Sequence, residues 1–357
     1  MMPGRVVIFG WADSVHIRRW AQGLAERGFE IRVVSLGGVP IEGVETINLP
    51  RTGFLSYFTQ ARRAVALARE FCPDIVHVHY AGGFGYWGAR CDFAPLLVSI
   101  WGSDLVDLPR NPLYRYLIRR TLKRAYRVTA TSDFLKRVSL ELVPEIEGRI
   151  DVIPFGVAIP ASPYPPPAGP VKLCFIKMHR RKYGPEVLLK AFAEACQRMP
   201  DLRLTMAGEG EMTPALRELA SGLGVTDSVQ FIGFVPNDRI YTLLQEHHIM
   251  VMPSETESFG VAVLEASACG RPVIASRVGG VPEVLRHGET GLLVPPGDVD
   301  ALTEAIISLA SDREKCQAMG EAGRELVRTR YPWERSLDLV TTLYERSIYD
   351  QKENPPL

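Results

Sequence analysis

Two doubly wound α/β domains, each on a parallel sheet, are the fold the chain predicts, and three observations predict it. A length of 357 residues exceeds what one hydrophobic core usually sustains, so two cores follow. Short β-branched runs alternate with amphipathic stretches along the chain, the pattern of parallel strands joined by crossover helices. The alternation breaks once, at VAIPASPYPPPAGP (157–170), too proline-rich for a helix or a ladder, which sets a domain boundary near residue 165.

In chain order, RVVIFG reads as a strand, HIRRWAQGLAERG as a helix closed by Gly28, and EIRVVSL as the next strand, a β-α-β unit. DIVHVHY, PLLVSIW, RVTATS and IDVIPFG supply further strands. Beyond the prolines, VKLCFIK, LRLTMAG, SVQFIGF, HIMVMPS and RPVIASR are strands of a second sheet, with helices at 185–198, 212–222, 237–246 and 260–269. ERSLDLVTTLYERSIYD, after YPW at 331–333, is a last helix expected to pack elsewhere than on the domain before it. Two such sheets are expected to leave a cleft at the carboxyl ends of their strands, where open α/β sheets bind ligands.

Composition limits the function classes. The 46% hydrophobic and 23% charged content is that of a soluble protein, and no apolar run approaches the about eighteen residues of a membrane helix. MMPGRVVIFGWAD reads as a first strand rather than a signal peptide, so a cytoplasmic protein is expected. Cysteines 72, 91, 174, 196, 269 and 316 form no CxxC and lie among apolar residues, which predicts buried reduced thiols. Net charge is zero, yet residues 1–165 hold 20 Lys and Arg against 15 Asp and Glu, and residues 166–357 hold 21 against 26. The basic excess gathers in LYRYLIRRTLKRAYRV (113–128) at helical spacing. That helix is either a solvated face or a contact for an anionic lipid surface, which would put the protein at the inner face of a membrane. No base-reading module accompanies it, so nucleic acid is not an expected partner.

The most informative stretch is ETESFGVAVLEASACGRPVIAS (255–276). A strand ends at Pro253, a loop carries Glu255 and Glu257, and a helix runs from about 258–260 to Gly270, with Pro272 beyond as its stop. The backbone N–H groups of Phe259, Gly260 and Val261 then stand at a helix N-terminus, an anion site that glycine lets a phosphate approach closely. Glu257, beside it, reaches whatever the phosphate carries. Glu265 lies among Val263, Leu264, Ala266 and Ala268, where a carboxylate is costly unless hydrogen-bonded; paired ribose hydroxyls would satisfy it. The layout suits a nucleoside diphosphate sugar. By spacing alone a plainer reading stands beside this one, with Glu257 complementing the helix dipole and Glu265 meeting a structural arginine.

With GGVPE (279–283) and HGETGLLVPPGD (287–298) following it, this stretch resembles the E-x7-E signature of retaining glycosyltransferase family 4. SVHIRRWAQGLAERGFEIRVVS, PDIVHVHY and SIWGSD resemble that family's first domain, and YPWERSLDLVTTLYE its terminal crossing helix. The resemblance covers nearly the whole chain. It implies the GT-B fold, two Rossmann-like doubly wound parallel-sheet domains facing a central cleft: residues 1–165 binding acceptor, 166–333 binding the nucleotide sugar, and helix 334–357 packing back on the first domain.

The resemblance also implies roles. Glu257 falls to the donor sugar hydroxyls, Phe259, Gly260 and Val261 to the diphosphate through their amides, and Glu265 to the ribose. IKMHRRKYGPEVLLKAF (176–192) is similar to the family segment whose Gly-Arg pair precedes a lysine by five residues. Lys182 fits that lysine, whereas Ile176-Lys177 replaces Gly-Arg, keeping the charge but losing the bidentate fork. MAGEGE (206–211) places Gly208 and Gly210 at the turn beside the nucleotide, and FIGFVPNDRI (231–240) places the backbone near Val235 at the base. In the first domain the family often has a histidine before Gly-x-Asp; WGSD supplies Trp101, so that histidine's role does not transfer. Gly10, Trp11, His16, Trp101 and Asp104 remain candidates for the acceptor or the cleft, with Trp11 and Trp101 either stacking on a sugar or packing. His77 and His79, alternating on one strand face, read as packing rather than metal ligands.

The reaction implied is retaining hexosyl transfer from a nucleoside diphosphate sugar, a UDP-sugar first, to a lipid-linked, saccharide or small-molecule acceptor. It would proceed by front-face attack with no metal and no cofactor, Lys177, Lys182 and the amides taking the developing charge. A GT-B epimerase or phosphorylase, or a nucleotide-sugar-binding module without turnover, is the alternative.

Overall fold

The computed structural model describes residues 4–106, 111–161 and 164–353. The chain divides into two compact units, Met1–Pro154 with Glu334–Leu357, and Phe155–Trp333. In the first, β1 (Arg5–Phe9), β2 (Glu30–Leu36), β3 (Glu45–Leu49), β4 (Ile75–His79), β5 (Leu96–Ile100), β6 (Arg127–Ala130) and β7 (Ile150–Val152) form one sheet in the order β3-β2-β1-β4-β5-β6-β7. In the second, β8 (Lys172–Ile176), β9 (Arg203–Ala207), β10 (Val229–Gly233), β11 (Ile249–Met252), β12 (Val273–Ser276) and β13 (Gly291–Val294) follow the order β10-β9-β8-β11-β12-β13. Every pairing is parallel. Helices cover both faces, so β4 and β5 are buried throughout and read as continuous apolar runs broken only by His77, His79 and Ser99.

Two strands escaped the sequence reading, β3 (ETINL) and β13 (GLLV), and both are edge strands. An edge strand needs only a short apolar face, so it leaves a weak signal. The helices Val299–Ala310 and Arg313–Arg330 were likewise not anticipated, although each is capped by an aspartate, Asp298 and Asp312, accepting from the amide three residues on. The expected 260–269 helix is observed as Val261–Ala268.

The division falls at Pro154–Phe155 rather than near residue 165, because the proline-rich segment is tied to the second unit. Tyr241 Oη donates to the carbonyl of Ala158 (2.9 Å), Arg324 to Pro160 (2.6 Å) and Arg271 to Pro165 (3.0 Å), and Val157 bridges to Pro332. The two arginines thus supply donors to carbonyls of a segment that pairs with no strand ladder. The last helix, Trp333–Glu353, belongs to the first unit from Glu334 onward. Arg27 pairs with Glu334 (3.0 Å) and Asp338, Tyr126 Oη donates to Asp350 (2.7 Å), and Tyr344 is fully buried against His77. Residues 354–357 of the expected helix lie outside the described residues. Cys91, Cys174, Cys269 and Cys316 are buried free thiols, but Cys72 is exposed, contrary to expectation, because it sits in the turn after the Ala61–Glu70 helix. No helix among the described residues is long and apolar enough to cross a membrane.

Candidate functional site

In the second unit the sequence-predicted acid and cations converge. Lys177 follows β8 directly, its amide donating to Ala207 at the end of β9 (3.1 Å), which fixes where its side chain begins. Its Nζ lies 2.6 Å from Oε2 of Glu257, and both side chains are largely withdrawn from solvent, at 18% and 13% exposure. The Glu255 amide donates to the Lys182 carbonyl (2.8 Å), and the Gly280 amide donates to the Glu257 carbonyl (3.2 Å), so the acid loop is held from both sides. Tyr183, which the sequence reading passed over, lies between the cations: its ring centroid is 5.2 Å from Lys177 Nζ and 5.3 Å from Lys182 Nζ. A ring face near two ammoniums steadies both without neutralising either.

Glycines set the backbone around this cluster. Gly260 caps the Val261–Ala268 helix with φ 105°, a conformation a side chain would strain, and its carbonyl accepts from Val263 (3.0 Å). The amides of Gly260, Val261 and Ala262 occupy the turn where a helix has no internal acceptors. Phe259 contributes only its backbone, since its ring is 3% exposed and packs near Phe155 and Tyr331. Glu265 is half-buried on that helix. A Cβ at Gly208 would stand 2.1 Å from the Lys177 carbonyl oxygen, and one at Gly210 2.4 Å from that of His179. Both glycines are therefore needed to let the 177–179 backbone pass, whatever the nucleotide requires. Val235 follows β10 on a loop, half-buried, beside Phe234 at 73% exposure.

The corresponding strand ends of the first unit are aromatic. A Cβ at Gly10, just after β1, would stand 2.5 Å from Ile17 Cδ1, so this glycine admits the first helix rather than a ligand. Trp11 is half-buried, edge-on to Tyr57 and Phe84, with the Arg51 guanidinium 4.5 Å from its ring centroid. His16 packs edge-on to Trp101 at 5.5 Å, and burial, with Arg19 beside it, lowers its pKa to about 4.

Two expectations need correction. Trp101 is 8% exposed, enclosed by His16, His79 and Tyr80, so it packs rather than offering a face to a sugar. Asp104 is fully buried: Oδ1 accepts from Trp101 and Gly102, and Oδ2 from Ala81 (3.0 Å). Its carboxylate clips the loop after β4 to the loop after β5 and has no face for a ligand. Burial pushes its pKa up, against the pull of those amides.

His77 belongs to a buried chain in which Nδ1 meets Tyr344 Oη (2.5 Å), Nε2 meets Ser99 Oγ (2.7 Å), and Ser99 Oγ meets Thr129 Oγ1 (2.7 Å). Burial lowers its pKa to about 3. His79 is buried with no hydrogen-bond partner at either ring nitrogen among the described residues, and burial, then His77 and His16, hold it well below the usual range. Among the described residues no group of three or more His, Cys, Asp or Glu is arranged to hold a metal ion. Tyr80, missed in the sequence, has φ 76°, a left-handed backbone that only its surroundings reveal.

Residues 162–326 match the family described as Glycosyl transferases group 1, and residues 5–132 that described as Glycosyl transferase 4-like. The chain is 29% identical over 355 residues to the N-acetyl-alpha-D-glucosaminyl L-malate synthase of Bacillus anthracis, covering 92% of each chain. It is 28% identical over 370 residues to the D-inositol 3-phosphate glycosyltransferase of Corynebacterium urealyticum, covering 93% of this chain and 85% of that one. Among solved structures, a sucrose-phosphate synthase from Thermosynechococcus elongatus superposes with a TM-score of 0.82 at 22% identity, covering 96% of this chain and 98% of that one. Anabaena HepE, in complex with UDP-glucose, superposes with 0.84 at 17% identity, covering 96% and 100%.

Proposed function

The chain is a glycosyltransferase of the GT-B fold, and we propose that it moves a hexosyl group, with retention of configuration and without a divalent metal, from a nucleoside diphosphate sugar bound by the second unit to a hydroxyl of an acceptor bound by the first. The observation that carries this is the convergence of Glu257, Lys177, Lys182 and the Gly260-capped helix terminus beyond the carboxyl ends of the central strands β8 and β11. The amides and lysines suit a diphosphate, the acid beside them suits sugar hydroxyls, and Glu265 suits the paired hydroxyls of a ribose.

In the chemistry proposed, the bond between the anomeric carbon and the diphosphate oxygen breaks as the acceptor hydroxyl attacks from the same face. The departing phosphate takes the hydroxyl proton, so no carboxylate nucleophile of the retaining-glycosidase kind is required. Lys177, Lys182 and the amides of residues 259–261 stabilise the charge growing on the diphosphate, where each well-placed donor is worth about 3–4 kcal/mol. The 2.6 Å Lys177–Glu257 pair keeps both groups in place before the donor arrives and opens as each takes a ligand partner. No cofactor is called for.

UDP-sugars are the first donors to try, as HepE has been solved with UDP-glucose. GDP-sugars stay in the panel, because 175 residues are 38% identical to a GDP-mannose-dependent alpha-(1-6)-phosphatidylinositol monomannoside mannosyltransferase of Mycolicibacterium smegmatis, covering 46% of this chain and 44% of that one. The test is a thermal-shift panel of UDP-, GDP- and ADP-sugars, then anomeric NMR of the product. A donor at 100 times its Kd adds about 2.7 kcal/mol of stability. No shift from any nucleotide sugar, an inverted product, or epimerised donor in place of transfer would overturn the proposal.

A further inference from the structure

We infer that Arg51, Trp11, Tyr57 and Tyr80 form an anion-selective acceptor subsite in the first unit, so that the acceptor is a hydroxy compound bearing a carboxylate or a phosphate. The inference rests on the transfer reading above and adds the substrate class. Three of the four lie at the carboxyl ends of their strands, the end at which open α/β sheets bind ligands. Trp11 follows β1, Arg51 follows β3, and Tyr80 follows β4; Tyr57 stands on the short Ser56–Thr59 helix, its ring centroid 6.0 Å from that of Trp11.

Arg51 shares with Arg90 a place over an aromatic ring outside the carboxylate pairs, and differs from it in standing at the carboxyl end of a strand. Arg5, Arg27, Arg32 and Arg69 of the same unit are each paired with a carboxylate. Arg51 is exposed and, among the described residues, has no carboxylate partner; its guanidinium is held over the Trp11 ring. Stacking leaves the in-plane fork of donors available for a bidentate carboxylate or phosphate. The Tyr57 and Trp11 rings meet edge-on, the Arg51 guanidinium lies over Trp11, and Tyr80 follows the strand paired with β1, which brings the residues to one end of the sheet.

Tyr80 is held there at a cost. Its left-handed backbone is enforced by the Ser99 carbonyl, which accepts its amide (3.0 Å), and by Asp104, which accepts the next amide (3.0 Å). A strained non-glycine residue retained at a strand end, with a half-buried ring set edge-on to Trp101 at 5.2 Å, marks a side chain that is used. Trp11, Tyr57 and Tyr80 offer apolar ring surface to the C–H face of a polyol while Arg51 takes the anion.

The anion could belong to a soluble compound or to a lipid headgroup, and the experiment separates the two. With the donor found in the panel, nucleotide release is measured with L-malate against its dimethyl ester, inositol 1-phosphate against myo-inositol, and phosphatidylinositol vesicles against phosphatidylcholine vesicles. At least one charged probe should outperform its uncharged counterpart by about tenfold or more, in either the soluble or the vesicle arm. Arg51→Gln should cancel that preference through KM with little change in kcat, and Arg51→Lys should restore part of it. Tyr80→Ala should also raise KM, and Tyr80→Phe should not. Uncharged probes equal to the charged ones, no charged probe active, or a preference that survives Arg51→Gln overturns the inference. If no donor binds, both readings fall; if a donor binds and no anion preference follows, only this one does.

Discussion

The two units share the order of six strands, to which the first adds β7, and differ in what they place at the strand ends. The second unit carries a short ion pair, a second lysine, and glycines that bring backbone close to backbone. The first carries enclosed aromatics and neutral buried histidines, with Arg51 stacked on Trp11 beside them. In the readings proposed above, the diphosphate is held by two lysines and backbone amides, whereas the acceptor meets one arginine framed by ring surface. The scaffold teaches where a ligand sits, and the chemistry at the strand ends teaches which ligand.

Removing charge should affect the two units unequally. Lys182→Ala and Lys177→Ala should lower kcat by about 10²–10³, since each removes a donor to the developing diphosphate charge, while Arg51→Gln should act mainly on acceptor KM. Steady-state kinetics with both substrates varied checks this; a larger kcat loss at Arg51 than at Lys182 would reverse the assignment.

Next in size is Gly208→Ala. The added methyl would press on the Lys177 carbonyl at a backbone φ of 133°, so unfolding free energy should fall by about 1–3 kcal/mol and the Lys177–Glu257 pair should be displaced. Urea unfolding followed by activity at a permissive temperature reads both; an unchanged midpoint would mean that the turn can give way.

A smaller effect concerns acid. His77, held to about 3 by burial, stays neutral in the folded chain, whereas the unfolded chain takes up the proton near 6.5. The folded state therefore binds fewer protons, and the stability linked to His77 is complete above about pH 6.5 and declines as pH falls toward about 3. His79, which burial and then His77 and His16 hold well below the usual range, adds its own share to that decline, so His79→Leu should flatten it in part and cost little at pH 7.5, because among the described residues neither ring nitrogen of His79 has a hydrogen-bond partner to lose. Denaturant midpoints at pH 7.5 and pH 5 decide it, a steep slope retained in the variant being the contrary result.

The smallest expected effect is on membranes. Leu113 and Tyr116 are exposed on the basic Pro112–Arg124 helix, and Phe54 and Leu55 are exposed beside it, Phe54 being 5.1 Å from the Tyr114 ring. Flotation with anionic vesicles at low salt should show weak binding that Arg119, Arg120 and Arg124 to glutamate removes; binding indifferent to those changes would discard the contact.

Legibility in the sequence follows the same division. Glu257 and the helix after it are a local pattern, so residues 255–276 disclosed both the element and its chemistry. Lys177 was legible as a charge, but not as the partner of Glu257, because eighty residues separate the two. Trp101 and Asp104 were candidates because WGSD resembles a family position, with packing left open for Trp101; the structure shows one enclosed and the other spent on three amides. Tyr80 gave no sign, since a positive φ in a tyrosine is imposed by neighbours far away in sequence. The edge strands β3 and β13 were lost for want of apolar alternation, and the boundary at residue 165 was misplaced because the prolines dock instead of linking.

The central claim is that Glu257 and Glu265 serve different parts of one donor. Calorimetric titration of free nucleotide and of nucleotide sugar into Glu257→Gln and Glu265→Gln tests it directly. Glu265→Gln should weaken both ligands by about 1–3 kcal/mol, as expected for a hydrogen bond to a charged group. Glu257→Gln should leave free nucleotide unchanged while lowering turnover. Equal effects of the two substitutions on free nucleotide, or none from Glu265→Gln, would contradict the account.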